Sequence, residues 1–478
     1  MSLKTKVVSA AKWSAFAEIA SKGITPIIFI VLAWILTPKD FGLVAIATMV
    51  ISFSQIFWDA GLSKALIQRQ GDVEKTANIV FWTNMILGIV IYGLLFLSAS
   101  FIAHLFKEPL AEAVIKVQGL QIILASLCSV QTALFQKELN FKKLFYVRLL
   151  TSVLPGFASI PFALWGYGYW ALVMGSLVGA FGQVILLWWI NPWRPQFEYD
   201  FGLMKALFPF GLWVSGSALL GWCFLWVDSL IVGIYLDVQQ LGLYRTGNTL
   251  VMMVFGIVLS PILPILFSMF SRMQDNIERL KNALLKSTKI IIIVAFPISM
   301  GLFIGSELVS SIIFSDKWQG VDQVIEMMAL VHGLAWLVGA NGEAYKGIGK
   351  PDIETKIMSL SIFFHLTLYL IIIKYGLAAF LFGRLMSVFF GLLIHLFFLK
   401  KYLYIGYKKI FNISKFVLFS VVIMYLSANF VKQMLFENEF IVFVMSLILG
   451  FSSYLILIFI LEKKFIKEIF YVTVLRRK

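Results

Sequence analysis

Polar and charged side chains recur at helical spacing inside runs that are otherwise apolar. In the stretch 13–36, Ser14, Glu18, Lys22 and Thr25 lie three or four residues apart and share one helix face. Thr48, Ser52, Gln55 and Asp59 repeat the pattern in 41–63. Farther along, Asp228, Arg245, Glu343 and Arg384 each interrupt an apolar run, Arg384 about 10 Å from the end of its run at ~1.5 Å per residue. Ionisable groups in hydrocarbon are costly, so they face water, a ligand or one another. Lys22, Arg245 and Arg384 are expected to line one cavity as cationic donors for an anionic group such as a diphosphate. Plainer roles exist beside these. Glu18 and Lys22 are an i,i+4 pair that can neutralise itself, Asp59 sits near the end of its run beside Lys64 or water, and Arg245 can snorkel outward.

The elements that carry these residues must be membrane helices. Of the 478 residues, 60% are hydrophobic and 14% charged, and the mean hydropathy is +0.91. A soluble domain has roughly 25% charged residues. The apolar excess runs the whole length, which excludes a single anchor on a soluble enzyme. Apolar runs near 13–36, 41–63, 242–268, 323–345 and 440–461, with nine others, predict an all-α polytopic membrane protein of about fourteen transmembrane helices. The first run is too long for the core of a signal peptide and reads as a retained span.

The net charge of +15 belongs to the loops, not to nucleic acid. With a cytoplasmic N-terminus, thirty-one of the 40 Lys and Arg fall on inner segments and six on outer ones. That bias puts both termini inside.

The sequence also repeats. At an offset of 200 residues, VLAWILTPKDFGLV (31–44) meets IVGIYLDVQQLGLY (231–244), matching Leu36 with Leu236, Gly42 with Gly242 and Leu43 with Leu243. At an offset of 203, QRQGD (68–72) meets SRMQD (271–275). The expected division is a six-helix lobe over 1–200, a second over 201–402, and two additional helices with a cytoplasmic tail over 403–478. An even number of helices per lobe makes the repeats parallel, with a substrate site expected where they meet.

Other motifs dissolve. KGIGKP (346–351) lacks the first glycine and the Ser/Thr of a phosphate loop. Cys128 and Cys223 have no ligand spacing, nor do His104, His332, His365 and His395, so no metal and no cofactor are expected. Gly175/Gly179 and Gly301/Gly305 are GxxxG pairs that allow close helix packing. Pro26, Pro155, Pro161, Pro261, Pro264 and Pro297 can kink their helices, and Pro26, one turn from Lys22, is a hinge candidate.

Three segments resemble a known family: FWDAGLSKALIQR (57–69), VDSLIVGIYLDVQQLGLYRTGNTL (227–250) and KGIGKP (346–351). They look like the polysaccharide branch of the multidrug/oligosaccharidyl-lipid/polysaccharide exporter superfamily, and within it Wzx-type flippases. The resemblance implies a fourteen-helix, two-lobed flippase of the bacterial cytoplasmic membrane. It would carry undecaprenyl-diphosphate-linked oligosaccharide to the outer leaflet by alternating access, for exopolysaccharide or O-antigen synthesis. Polysaccharide polymerase and export machinery would be partners, and the family's cationic cavity would fall on Lys22, Arg245 and Arg384.

Physical chemistry is compatible with such a task. A diphosphate and several sugars need a hydrated, charge-complementary path, while the lipid tail stays in the bilayer. No ATPase site is present, so energy would come from product consumption or an ion gradient, with Glu18, Asp59, Asp228 and Glu343 as candidates for proton or sodium coupling. A cation-coupled multidrug exporter of the same superfamily is the alternative, marked by acidic and aromatic cavity residues. A membrane glycosyl transferase or polymerase is disfavoured because no long outer loop offers room for a catalytic domain.

Overall fold

The computed structural model describes residues 23–259, 261–433 and 439–474. Helices α1 (Gly23–Ile35), α2 (Pro38–Asp59), α3 (Leu62–Gln68), α4 (Val73–Leu105), α5 (Leu110–Gln118), α6 (Leu120–Lys137), α7 (Phe141–Leu164), α8 (Tyr169–Ile190), α9 (Phe201–Tyr235) and α10 (Val238–Leu259) come first. They are followed by α11 (Ile262–Ser271), α12 (Ile277–Ile304), α13 (Ser306–Ile313), α14 (Val321–Ala335), α15 (Asn341–Gly347) and α16 (Asp352–Ile372). The last are α17 (Leu377–Leu403), α18 (Tyr407–Lys432), α19 (Glu439–Leu461) and α20 (Lys463–Val474). No strand occurs among the described residues. Hydrocarbon supplies no partner for backbone N–H and C=O groups, so helices satisfy them internally.

Twelve helices among the described residues are long and apolar enough to cross a membrane, α5 and α6 counting as one. They match twelve of the fourteen predicted runs. The run 13–36 is described only from Gly23, as α1. The run 323–345 is two helices, because the chain turns at 336–340, where the Trp336 ring folds over Gly339 and leaves a Cβ there only 2.5 Å from it. The predicted span 242–268 also divides, with Pro261 as the N-cap of α11.

Packing separates two compact units, Met1–Thr246 with Ile313–Trp318, and Gly247–Ile312 with Gln319–Lys478. This division by contact falls inside α10, not at the repeat boundary near 200. The short 313–318 segment belongs to the first unit because the Trp318 indole donates to the Leu36 carbonyl at 3.1 Å. In the second unit, α18 and α19 pack on α12. Phe443 and Phe451 fill the space left by Gly305 and Gly301, and the Tyr454 hydroxyl donates to the Ile293 carbonyl at 2.7 Å. The other GxxxG pair, Gly175 and Gly179, seats α8 on Pro155 and Ser159 of α7.

The duplication shows in matching local structure. α2 and α10 are both 22 residues long and start exactly one offset apart, at 38 and 238. Thr37 and Asp40 form a reciprocal capping box at the start of α2. At the matching place Gln240 donates its backbone N–H (2.7 Å) and its side-chain amide (2.8 Å) to Asp237. Asp72 caps α4, whereas Asn276, one residue beyond the aligned Asp275, caps α12.

Within the first unit the two equivalent helix starts cross reciprocally. A Cβ on Gly42 would lie 1.9 Å from the Val238 carbonyl oxygen, and one on Gly242 would lie 1.8 Å from that of Pro38. Pro38 and Val238 are themselves equivalent by the offset, so each repeat presses its glycine onto the other's first helical turn. Association in lipid relies on such close backbone approach.

Gly242→Ala should therefore destabilise the purified protein by about 1–3 kcal/mol or more, the range for overpacking. Gly216→Ala, where nothing lies within 4 Å of the added methyl, should be neutral or slightly stabilising. Thermal unfolding of both variants in detergent checks the contrast.

Candidate functional site

The α2–α3 corner begins the site. Helix α2 ends at Asp59 because Ala60 (φ 42°) and Gly61 (φ 69°) adopt left-handed conformations. The corner is clamped on α9: a Cβ on Gly211 would lie 2.1 Å from the Ala60 carbonyl oxygen. The Lys137 ammonium, from α6, donates to the Leu66 (3.0 Å), Ile67 (3.2 Å) and Arg69 carbonyls that close α3. The FWDAGLSKALIQR segment thus encodes a fixed bend.

Above this corner lies a cavity of about 620 Å³. From α2 it takes Ser52, Gln55 and Asp59, three members of the predicted polar stripe. The fourth, Thr48, accepts from the Gln118 amide at 3.1 Å. Lys64 lines it from α3, Ser129 and Gln136 from α6, and Gln183 from α8. From α9 come Trp222 and Trp226, one helical turn apart. The Trp222 indole donates to the Ser52 hydroxyl at 3.1 Å, which fixes its plane against α2. Hydroxyls, amides, the indoles of Trp58, Trp222 and Trp226, one carboxylate and one ammonium, set among aliphatic side chains such as Ile56, Val214 and Leu225, make a wall suited to a partly polar, partly flat ligand.

The predicted site residues fall in several places. Glu18 and Lys22 lie outside the described residues. Pro26 is in α1, close to where the described chain begins. Asp59 lines the cavity. The Arg245 guanidinium stacks 3.9 Å from the Trp226 ring centroid, so it is tied to the cavity wall through that indole. Asp228 is 3% exposed and accepts from the Ser229 backbone N–H of its own helix at 2.6 Å and from the Tyr244 hydroxyl at 2.7 Å, the bond that ties α9 to α10.

Arg384 and Glu343 belong to the second unit, each in its own cluster. Arg384 donates to the Tyr369 hydroxyl at 2.8 Å, and that phenol, 1% exposed, also meets Ser387 at 3.0 Å. Glu343 pairs with Lys346 at 3.2 Å, and Glu354 with the same ammonium at 3.0 Å. Burial pulls the Lys346 ammonium down, but the bonds to Glu354 and Glu343 outweigh it and hold its pKa above the ordinary lysine value. KGIGKP is therefore part of an ion-paired turn.

Sequence reasoning missed Trp222, Trp226, Gln183 and the buried Asn84 of α4. The available signals were two indoles at i,i+4 spacing and an amide in the apolar middle of a run. Among the described residues no three His, Cys, Asp or Glu side chains converge on a metal position.

An all-helical membrane scaffold built on a duplicated helix pair, with a polar cavity walled by several spanning helices, is the architecture of a membrane transporter. The chain belongs to the family described as polysaccharide biosynthesis protein, whose family model matches residues 31–323. It is 26% identical over 71% of its length to the succinoglycan biosynthesis transport protein ExoT of Rhizobium meliloti, covering 69% of that protein. It is 27% identical over 74% of its length to the lipopolysaccharide biosynthesis protein WzxC of Escherichia coli, covering 73% of it. Its fold is similar to that of the lipid II flippase MurJ in an inward closed conformation. The TM-score is 0.75 at 14% identity, covering 96% of this chain and 100% of the other.

Tyr244→Phe should lower stability by about 1.5–3 kcal/mol, because it removes a hydrogen bond to a buried carboxylate. Tyr235→Phe, at a side chain 55% exposed, should change it little. Unfolding of the two variants side by side tests whether Asp228 is held as a structural lock.

Proposed function

We propose that this protein is a flippase that moves an undecaprenyl-diphosphate-linked oligosaccharide from the inner to the outer leaflet of the bacterial cytoplasmic membrane. It is a transporter, not an enzyme, and supplies polysaccharide synthesis outside the membrane by alternating access. Both termini face the cytoplasm in this reading. The observation that carries it is the cavity at Asp59, Gln55, Gln183 and Trp222, where polar groups stand among aromatic and aliphatic side chains inside a scaffold of apolar helices. Sugars offer hydroxyls to amides and carboxylates and flat C–H faces to indoles, and this wall has both kinds of group.

The names of its relatives support the same direction. One is a succinoglycan transport protein and another a lipopolysaccharide biosynthesis protein. The lipid tail would remain in the bilayer, along an exterior where Leu97, Phe157 and Trp189 are 75–80% exposed. Arg245, behind Trp226, and Arg384 are the proposed cationic contributors toward the diphosphate, together with Lys22. A polymerase and export machinery would receive the product.

A second reading, a cation-coupled multidrug exporter, is favoured by the acidic and aromatic side chains Asp59, Trp222 and Trp226 on the same wall. Depletion of the protein in its host separates the two. Flipping predicts that lipid-linked oligosaccharide builds up on the inner leaflet, protected from externally added glycosidase. Unchanged leaflet distribution with lost drug efflux would install the exporter instead. For the arginines, Arg245→Cys and Arg384→Cys should react with an aqueous maleimide from at least one side of the membrane. Failure of both to react removes them from the substrate path.

A further inference from the structure

At the cavity wall four polar side chains from four helices converge, Asp59, Ser63 and Ser129 from the lining and Asn84 from behind it. Asn84, in α4, is 0% exposed. Its amide nitrogen donates to Asp59 Oδ1 at 3.4 Å, from α2, and to Ser129 Oγ at 3.2 Å, from α6. The Ser63 hydroxyl, from α3, donates to the same carboxylate oxygen. Asn84 Oδ1 is equally buried and has no hydrogen-bond partner among the described residues. An idle amide carbonyl at this depth is costly, since burying it without a partner forfeits its hydration.

A half-turn of the Asn84 amide exchanges its nitrogen and oxygen with almost no change in shape. In the observed orientation the amide N–H groups bridge the two oxygens, and the carbonyl is wasted. In the turned orientation the Asn84 carbonyl oxygen faces the Asp59 carboxylate oxygen, with the Ser129 hydroxyl oxygen beside them. That arrangement repels itself unless one positive charge enters between them. The turned orientation therefore calls for a positive charge that the observed one does not need.

We propose that Asp59, Ser63, Asn84 and Ser129 form a binding site for one monovalent cation, either a sodium ion held by the converging oxygens or a proton on Asp59 donated to the Asn84 carbonyl. The shared chemistry is a single positive charge on the Asp59 carboxylate, and hard oxygen donors suit both carriers. Among the described residues, the charged or titratable groups lining the cavity beside Asp59 are the Lys64 ammonium of α3 and the Cys128 thiol of α6. The linings from α8 and α9 supply only uncharged groups, among them Gln183, Ser215, Trp222 and Trp226. The site ties both arms of the α2–α3 corner to α4 and α6, so filling it bears on the bend that shapes the cavity. Its use as a coupling site rests on the transporter reading, but binding itself does not.

The test uses the full-length protein purified in detergent, with no oligosaccharide present. Radiolabelled sodium binding is measured by scintillation proximity, with potassium as the balancing ion. In sodium-free buffer, the infrared band of a protonated carboxylic acid is followed as pH is varied. Under the sodium arm, binding is saturable and falls at least about tenfold, or ~1.4 kcal/mol, in Asp59→Asn and in Asn84→Leu. Under the proton arm, the acid band is missing in Asp59→Asn and its titration is displaced in Asn84→Leu. Ser129→Ala, the mildest change, should weaken whichever signal is found and guards against misfolding of the other two. If the folded wild type shows neither sodium binding nor an acid band assignable to Asp59, the proposal is overturned. Neither readout involves a saccharide, so a wrong substrate assignment and a wrong cation site give different failures.

Discussion

Hydrocarbon offers no hydrogen-bond partner, and this constraint sorts the polar side chains of the protein into two kinds. Some are engaged with protein partners: Asp228 receives the Tyr244 hydroxyl, and Glu343 holds Lys346. Others are turned to a space large enough for water or ligand, as Ser52, Gln55 and Asp59 are. Ionisable residues in apolar runs therefore do not share one role. Sequence depth identifies both kinds, and only packing separates them.

The equivalent helices α2 and α10 share a start and a length and differ in the side chains they carry. The starts and lengths of α2 and α10 and the reciprocal glycine crossing repeat at an offset of 200 residues. The polar stripe of α2 does not. Ser52, Gln55 and Asp59 correspond to Met252, Phe255 and Leu259 on α10. Close backbone packing constrains both copies of the helix start, because either glycine would collide with the opposite carbonyl if it gained a methyl. The stripe is free of that constraint, so α2 can carry polar cavity-lining groups where α10 carries apolar side chains, with Phe255 and Leu259 buried.

Much of the fold was legible because lipid demands long apolar runs and because the repeat is anchored by residues with a conformational job. Leu36, Gly42, Leu236 and Gly242 align in sequence, and the last turns before both helix starts have the same shape. The breaks were harder. Pro261 was visible as a helix breaker, yet hydropathy continues across it, so 242–268 read as one span. The turn at 336–340 has no proline and depends on Trp336 lying over Gly339. Of the site, the stripe ending at Asp59 was readable from i,i+3 and i,i+4 spacing. Its neighbours Asn84, Ser129 and Trp222 were not, because they come from helices distant in sequence and look like ordinary members of apolar runs.

Charge balance on the cavity wall has a consequence for any substrate that joins sugars to a diphosphate. Lys64 and Asp59 are the oppositely charged groups among the described lining residues, so with both ionised the wall is close to neutral. A neutral wall of amides and indoles favours a saccharide over a dianion. Tight binding of a diphosphate would then require cations beyond this wall; Arg245 stacks on Trp226, whose ring borders the cavity. The division has a physical advantage. Sugars held by many weak, adaptable contacts can change in composition without loss of the path, while a charged anchor point fixed by an arginine on an indole face keeps its geometry. Neutralising Asp59 with one cation would shift the wall from balanced to net positive, so cation and anionic headgroup would favour each other's binding by linkage.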